Sequence, residues 1–218
     1  MRAVSLILIL LCFQKTISSQ IGYELNLSSH NLYQKQSNRN PNPVDIQSYG
    51  LQLGGQYWFR LKNYRVEFIP GIHLGTEFSQ KKNYSSYKIT DVHLLTSIPL
   101  LIYPLNFKED CNCPTFKKSG KKFEKGFHLI VQPGLSFNRR NINHDSVTLV
   151  KNNMTPILGL GAGMDIGINR LMTITPFILY SIYFNDCLLK TEKEIIEIQH
   201  HSINVGVRIR LYKNTLHY

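Results

Sequence analysis

From residue 21 onward, apolar and polar residues alternate with a period of two in eight separate segments. Side chains of a β-strand point to opposite faces in turn, so this period predicts strands rather than helices. The fourth segment ends in SIPLLIYPL, which is apolar on both faces, and its register is left open. The eight segments cover approximately residues 21–28, 48–59, 65–78, 91–103, 127–137, 158–168, 174–182 and 203–211.

The two faces of these segments differ in a way that separates two architectures. One face carries large aliphatic and aromatic side chains over roughly ten positions, the length that a tilted strand needs to cross a bilayer. The other face carries mostly Gly, Ser, Gln and charges of both signs, with few of the long lysines of a wet surface. Small and hydrogen-bonding residues suit the crowded lumen of an eight-stranded barrel. The pattern predicts an all-β, eight-stranded antiparallel up-and-down transmembrane β-barrel; a soluble eight-stranded ligand-binding barrel is the alternative.

The lengths of the connections are a second test of this prediction. The odd connections, 29–47, 79–90, 138–153 and 184–199, are long and polar, whereas the even connections 60–64 and 169–171 are short. Long external loops that alternate with short periplasmic turns are typical of outer-membrane barrels. The exception is the long even connection, 104–125. Both chain ends are predicted to be periplasmic.

The first 19 residues read as an export signal. Arg2 precedes an apolar run from Ala3 to Phe13, and small residues before Gln20 offer a cleavage site. We therefore expect a signal peptide at 1–19, a barrel domain at 20–218 and a location in the bacterial outer membrane. Removing the signal takes away two of 25 basic and none of 14 acidic residues, so the net charge falls from +11 to +9.

Four segments of the chain are similar to one known family. They are the signal that ends before Gln20, Ser97-Ile98-Pro99-Leu100, Asp110-Cys111-Asn112-Cys113-Pro114-Thr115-Phe116, and Gly126-Phe127 with Pro133-Gly134. Together they resemble the PorT-like outer-membrane β-barrel family of Bacteroidota. The resemblance implies the barrel fold and a location in the outer membrane. It also makes a component of a secretion or envelope-assembly machine an alternative function.

Six charged residues fall on the polar face, in the half of the barrel nearest the chain ends. Unpaired charges in a poorly solvated lumen are costly, so these residues are expected to pair with one another. A structural salt-bridge plug is the favoured interpretation because eight strands enclose a narrow bore, and a gated or ion-conducting lumen is the alternative. The predicted network consists of Glu24, Arg65, Glu67, Asp165, Arg208 and Arg210.

Cys111 and Cys113 lie in the long periplasmic connection. A Cys-x-Cys pair in an oxidising compartment could form a local disulfide, remain as two thiols, exchange disulfides or bind metal. The connection contains no histidine, and a metal site usually needs four ligands, so a metal is not expected. The local disulfide or two free thiols are favoured, with Cys187 as the third cysteine of the mature chain.

Basic residues cluster at both ends of the predicted barrel. The connection 108–125 is either a solvated turn or a docking patch for an acidic periplasmic protein or anionic headgroups. On the outer side, Lys81, Lys82, Arg139 and Arg140 are predicted to meet lipopolysaccharide phosphates. No nucleic-acid recognition motif accompanies the charge, so nucleic acid is not an expected partner. The lysines of the connection are Lys117, Lys118, Lys121, Lys122 and Lys125.

The sequence contains no P-loop, nucleophile elbow or His-Glu-x-x-His motif. His144, Asp145 and Ser146 share one loop, but consecutive residues are poorly placed to act on one another. His200 and His201 point to opposite faces and cannot bind a ligand together. We expect no catalytic, cofactor or metal site. The expected function is structural or interaction work at the cell envelope through the external loops, and a rim-sited hydrolase or acyltransferase is the remaining alternative.

Aromatic residues near the predicted strand ends are interpreted as interfacial girdles. Trp58 is an exception, because its position in the alternation points it away from lipid. The girdle residues include Tyr49, Phe59, Tyr103, Phe107, Tyr183 and Phe184.

Overall fold

A computed structural model describes residues 20–34, 45–61, 64–79, 87–106, 126–144, 147–169, 171–184, 187–190 and 195–211. The predicted signal peptide and the cysteine- and lysine-rich part of the long connection lie outside these residues. Within them, no helix is long and apolar enough to cross a membrane.

The described residues form thirteen strands. They are β1 (Ile21–Gln34), β2 (Asp45–Tyr57), β3 (Phe59–Arg60), β4 (Val66–Phe68), β5 (Gly71–Ser79), β6 (Tyr87–Ser97), β7 (Leu100–Ile102), β8 (Phe127–His144), β9 (Val147–Met164), β10 (Ile166–Asn169), β11 (Met172–Tyr183), β12 (Cys187–Lys190) and β13 (Ile195–Leu211).

Short breaks divide several strands, and the thirteen pieces make eight passes around one sheet. Strands β3, β4, β7, β10 and β12 continue β2, β5, β6, β9 and β11 beyond these breaks. The first pass pairs with the last, from Ile21 opposite Leu211 to Gln34 opposite Ile198. Every pairing is antiparallel, and each pass pairs with its neighbours in the chain. The predicted closed eight-stranded antiparallel barrel is thus confirmed.

The period-two pattern divides the side chains between the outside and the lumen. On β13, Ile203, Val205 and Val207 are exposed, whereas Asn204 and Arg208 are buried. The same alternation runs around the barrel, so the outer surface is a belt of large apolar residues. We call the half of the lumen nearest Ile21 and Leu211 the lower half, and the opposite half the upper half.

The register of the fourth pass follows from its backbone. Odd-numbered residues face inward from Ile89 to Tyr103, through the break at Ile98 and Pro99. The Pro99 carbonyl accepts a hydrogen bond from the Ile69 amide at 2.8 Å, and the Ile98 amide donates to the Pro133 carbonyl at 3.0 Å. The apolar residues on both faces of this segment therefore fill the lumen as well as the belt.

The lumen contains an apolar layer that the alternation did not predict. Seven buried side chains from different passes pack together in it, and Leu95, Ile157 and Tyr183 form a smaller cluster. The larger cluster consists of Trp58, Ile69, Leu101, Tyr103, Ile130, Phe177 and Leu179.

Two predictions about segments near the strand ends are wrong. Residues 138–153 are not a long loop: β8 and β9 remain paired up to His144 opposite Val147. A strand that continues beyond the apolar belt has no reason to stay apolar, so its polar sequence resembled a loop. Tyr103 and Tyr183 are lumen residues, 0% and 7% exposed, rather than girdle residues. Trp58 is also buried, as its parity predicted, whereas Tyr49, Phe59 and Phe184 lie on the outside.

Candidate functional site

The lower half of the lumen holds an ion pair at the seam where β1 meets β13. Glu24 and Arg208 are register partners across this seam. Arg208 donates to Glu24 Oε2 from Nε at 3.0 Å and from Nη2 at 2.8 Å. Gln56 and Asn26 donate to the same carboxylate, and His73 Nε2 lies 3.6 Å from Oε1. The pair is therefore hydrogen-bonded on several sides, which a buried charge requires.

Arg210 pairs with two carboxylates from distant passes. Its Nη1 lies 2.5 Å from Glu67 Oε2, and its Nη2 pairs with Asp165 Oδ1. The Tyr103 hydroxyl lies between the two acids, 2.6 Å from Asp165 Oδ2 and 3.1 Å from Glu67 Oε2. Thr175 donates to Asp165 Oδ1 at 2.7 Å. The Arg210 guanidinium of β13 thus connects β4 with Asp165, which lies in the break between β9 and β10.

Aromatic rings cover the cations of the lower half. The Arg65 guanidinium lies 4.1 Å from the centre of the Tyr103 ring, a distance typical of cation–π contact. Arg208 lies over Phe177 and Arg210 over Trp58 at 5.1 and 5.6 Å. We call Glu24, Arg65, Glu67, Asp165, Arg208 and Arg210 the lower cluster; its three carboxylates match its three guanidiniums.

The structure therefore places all six predicted network residues in the lumen, buried and in the lower half. Five of them are brought together as ion pairs, and Arg65 joins through the Tyr103 ring.

The upper half of the lumen contains three histidines around one carboxylate. His30 Nε2 and His93 Nδ1 each lie 3.3 Å from Glu77 Oε1. His30 Nδ1 lies 2.9 Å from His200 Nε2, and Gln52 Nε2 lies 2.6 Å from His93 Nε2. All five side chains are buried. We call His30, Glu77, His93 and His200 the upper cluster.

The upper cluster is enclosed by aromatic and apolar side chains. The Tyr183 ring stacks on His200, with centres 3.8 Å apart and planes 7° apart. Leu32, Ile46 and Ile89 are each 3% exposed and also lie in the upper part of the lumen. These residues shield the cluster from bulk water.

Arg140 corrects the predicted outer basic patch. Its Nε donates to Asp91 Oδ2 at 2.9 Å inside the lumen, and it is 3% exposed. It therefore cannot reach lipopolysaccharide phosphates, because strand β8 continues at this position and turns alternate residues inward. Arg139 is exposed, and Lys81 and Lys82 lie outside the described residues.

Glycines make room for the lumen histidines. A Cβ on Gly54 would collide with the His73 ring, and one on Gly75 with the His93 ring. A Cβ on Gly163 would meet His128, whose Nδ1 lies 3.0 Å from the Gly126 carbonyl oxygen. The lumen is therefore packed to the backbone at these levels.

Several predicted site residues lie outside the described part of the chain. Cys111, Cys113 and the five lysines of the 108–125 connection lie outside the described residues, as do Asp145 and Ser146. Cys187 lies in β12. His200 and His201 take opposite faces: His200 is in the lumen, and His201 contacts the Tyr180 hydroxyl outside, at 2.9 Å.

Sequence reasoning missed the upper cluster and Tyr103. Period-two parity put His73, His128 and Glu77 on the inner face, but it does not show which residues of different passes share one level. That information depends on the register between passes, such as His30 opposite Ser202.

No protein-family model and no curated protein matches this chain. The fold is similar to that of Neisserial surface protein A, with a TM-score of 0.45 at 9% identity, over 88% of this chain and 97% of that one. It is similar to Ail, the attachment invasion locus protein of Yersinia pestis, with a TM-score of 0.46 at 7% identity, over 89% and 99%. It is also similar to the outer membrane enzyme PagL, with a TM-score of 0.41 at 11% identity, over 83% and 97%.

Proposed function

We propose that the chain is an integral outer-membrane β-barrel with a structural or interaction role at the cell envelope, and that it is not an enzyme. The observation that carries this proposal is the contrast between its two surfaces. The outside is a continuous apolar belt, whereas the lumen is filled with buried polar and charged side chains. A soluble barrel would have the opposite arrangement, with apolar residues inside and polar residues in water.

The height of the apolar belt fits a bilayer. On β13 the outward residues from Ile203 to Leu211 are all apolar and exposed. These eight steps of about 3.3 Å, at a tilt of about 40°, cover roughly 20 Å along the membrane normal. The closed sheet also satisfies its backbone hydrogen bonds internally, as a membrane-spanning strand must.

The lumen supports a sealed rather than a conducting barrel. The lower cluster links β1, β4 and β13 across the bore, and the apolar layer around Tyr103 adds to this filling. In the part of the chain that the structure describes, these side chains fill the bore at the level of the lower cluster, and this filling supports a role for the outer surface in interaction.

The upper end offers the contact surface in this proposal. Strands β8 and β9 pair up to His144 and Val147, with Arg139 and Asn152 exposed on the way. A paired ribbon presents a fixed surface, because its backbone is held by a hydrogen-bonded ladder. Lipopolysaccharide and the lipid bilayer are the immediate partners that we propose.

Cell fractionation combined with heat-modifiable gel migration tests the proposal. We expect the protein in the outer-membrane fraction, with the unboiled sample migrating differently from the boiled one. A protein that stays soluble without detergent would contradict it.

A PorT-like component of a secretion or envelope-assembly machine is the alternative role. It is supported by the resemblance and by the five lysines of the 108–125 connection, which would dock an acidic periplasmic partner. Pull-downs from envelope extracts with the full chain and with a chain lacking 108–125 discriminate the two. Loss of one specific partner on deletion favours the machine, and identical captured proteins favour the leading proposal.

The non-enzymatic part of the proposal has its own test. Purified protein should not hydrolyse ester, acyl or peptide substrates in detergent. An activity that disappears when His144 and Asp145 are both replaced by alanine would establish the rim-sited hydrolase or acyltransferase instead.

A further inference from the structure

Glu77 is a carboxylate without an arginine partner among the described lumen residues. Among the described residues, the lower cluster has three carboxylates and three guanidiniums, and Asp91 is paired with Arg140. Glu77 contacts histidines only, His30 and His93. A buried carboxylate without a cation is costly, so a positive charge beside Glu77 would stabilise the upper cluster.

Neutral histidines can satisfy one another's hydrogen bonds but not this charge. Gln52 donates to His93 Nε2, so the His93 proton lies on Nδ1, 3.3 Å from Glu77 Oε1. If the His30 proton lies on Nε2, also 3.3 Å from Glu77 Oε1, then His200 must donate from Nε2 to His30 Nδ1. The cluster then keeps the full negative charge of Glu77.

Three of these groups converge as a ligand set. His30, Glu77 and His200 each offer one donor atom, and the three atoms lie within 4.8 Å of one another. They come from β1, β5 and β13. Such convergence of two imidazoles and a carboxylate is the arrangement by which proteins hold a divalent cation with one position left open.

We propose that His30, His200 and Glu77 bind a divalent first-row transition metal, for which Zn²⁺ is the reference ion, in the upper lumen. Imidazole nitrogens select such metals over Ca²⁺ and Mg²⁺, which prefer all-oxygen sites. Metal binding brings two positive charges beside Glu77, and each neutral histidine ligand keeps its one proton on the ring nitrogen that does not bind the metal. Glu77 is thereby neutralised, and the first, third and last passes are joined.

The surrounding side chains act as positioning residues. His93 Nδ1 lies 3.3 Å from Glu77 Oε1, beside the carboxylate, and the Tyr183 ring stacks on His200. Partners of this kind orient metal ligands, and their loss usually weakens metal affinity by about 10–100-fold. Because apolar residues enclose the site, the metal is expected to enter during folding and to exchange slowly.

The test uses the full mature chain folded from denaturant into detergent with excess Zn²⁺, with free metal then removed by gel filtration. Elemental analysis should give about one zinc per chain. His200→Gln and Glu77→Gln should lose this zinc, and His93→Gln should weaken binding by about 10–100-fold. His128→Gln is the matched control, since His128 is an equally buried lumen histidine in the lower half, and it should keep the zinc.

Heat-modifiable migration identifies the variants that fold. Zinc no higher in the folded wild-type chain than in His200→Gln, or lost equally in His128→Gln, would overturn the proposal, and a proton would then be the cation beside Glu77. If the ligand variants fail to fold, folding of the wild-type chain with Co²⁺ decides. Intense visible d–d bands of a low-symmetry site support the proposal, and the weak spectrum of hydrated Co²⁺ refutes it.

Discussion

Glu24 and Arg208 are direct neighbours across the seam that closes the barrel, and the Arg208 guanidinium donates two hydrogen bonds to one Glu24 oxygen. The pair is fully enclosed, with side chains 3% and 0% exposed. The contact that neutralises Glu24 is therefore also a contact between the chain's first and last strands.

Replacement of one member of this pair should cost more than replacement of both. Glu24→Gln leaves the Arg208 charge buried without its carboxylate, and we expect a loss of about 3–5 kcal/mol in the free energy of unfolding. The double variant Glu24→Gln/Arg208→Met should recover part of this loss. Urea unfolding in detergent measures it, with the exposed Arg139→Met as the control. Strictly additive losses would show that the two side chains do not interact.

A methyl group at Gly54 should destabilise the barrel, whereas one at Gly55 should not. The Gly54 Cβ would collide with the His73 ring inside the lumen, but nothing lies within 4 Å of a Cβ on Gly55. We expect Gly54→Ala to lower the free energy of unfolding by about 1–3 kcal/mol through overpacking. The same urea titration applies to both variants. Equal effects at the two positions would mean that the lumen is looser than described.

Tyr103→Phe should destabilise the lower cluster without changing its charge. The hydroxyl lies between Asp165 and Glu67, and its removal takes a donor from the buried Asp165 Oδ2, whereas Glu67 Oε2 keeps its bond from Arg210 Nη1. The expected loss is about 1–3 kcal/mol. Tyr49→Phe, at an exposed outer position, is the control and should be nearly neutral. A neutral Tyr103→Phe would show that water replaces the hydroxyl in the lumen.

An arginine in the middle of the apolar belt should be costly. Val207 lies midway between Ile203 and Leu211 on the outward face of β13. Val207→Arg should lower the free energy of unfolding in lipid vesicles by about 2–4 kcal/mol. Asn152→Arg, exposed above the belt, should change it by less than about 0.5 kcal/mol. If the two costs are similar, the belt does not face lipid.

Purified protein should show no large, stable conductance in planar bilayers. The lower cluster and the apolar layer around Tyr103 fill the bore of a barrel that is already narrow at eight strands. Steady steps of porin size would contradict the sealed lumen.

The alternation of residue types predicted the faces of the eight segments and the closed barrel, because a lumen face and an apolar outer face impose a period of two, but it did not predict the polar extensions of β8 and β9. On β13, for instance, the inward Asn204 and Arg208 and the outward Val205 and Val207 follow the sequence pattern without exception. Lumen-facing charges could be identified in the same way.

The alternation does not predict how high each residue lies along the barrel axis. Asp91 and Arg140 meet because β6 pairs with β8 at those two positions, and residue types do not encode that register. The assignment of Tyr103 and Tyr183 to the girdle was wrong for a different reason. Both lie close to strand ends, but the direction of their side chains depends on the parity carried through a break or a long strand.

The seam pair also orders events during folding. Glu24 and Arg208 are 184 positions apart, so their contact forms only after nearly the whole chain is present. Folding dominated by contacts of such large sequence separation is intrinsically slow. Until the last strand arrives, a partly assembled sheet carries Glu24 without its cation, and a chain truncated before β13 has no means of supplying one. The barrel is thus closed only when its last strand is in place, and we expect a chain truncated before β13 to remain open to proteolysis.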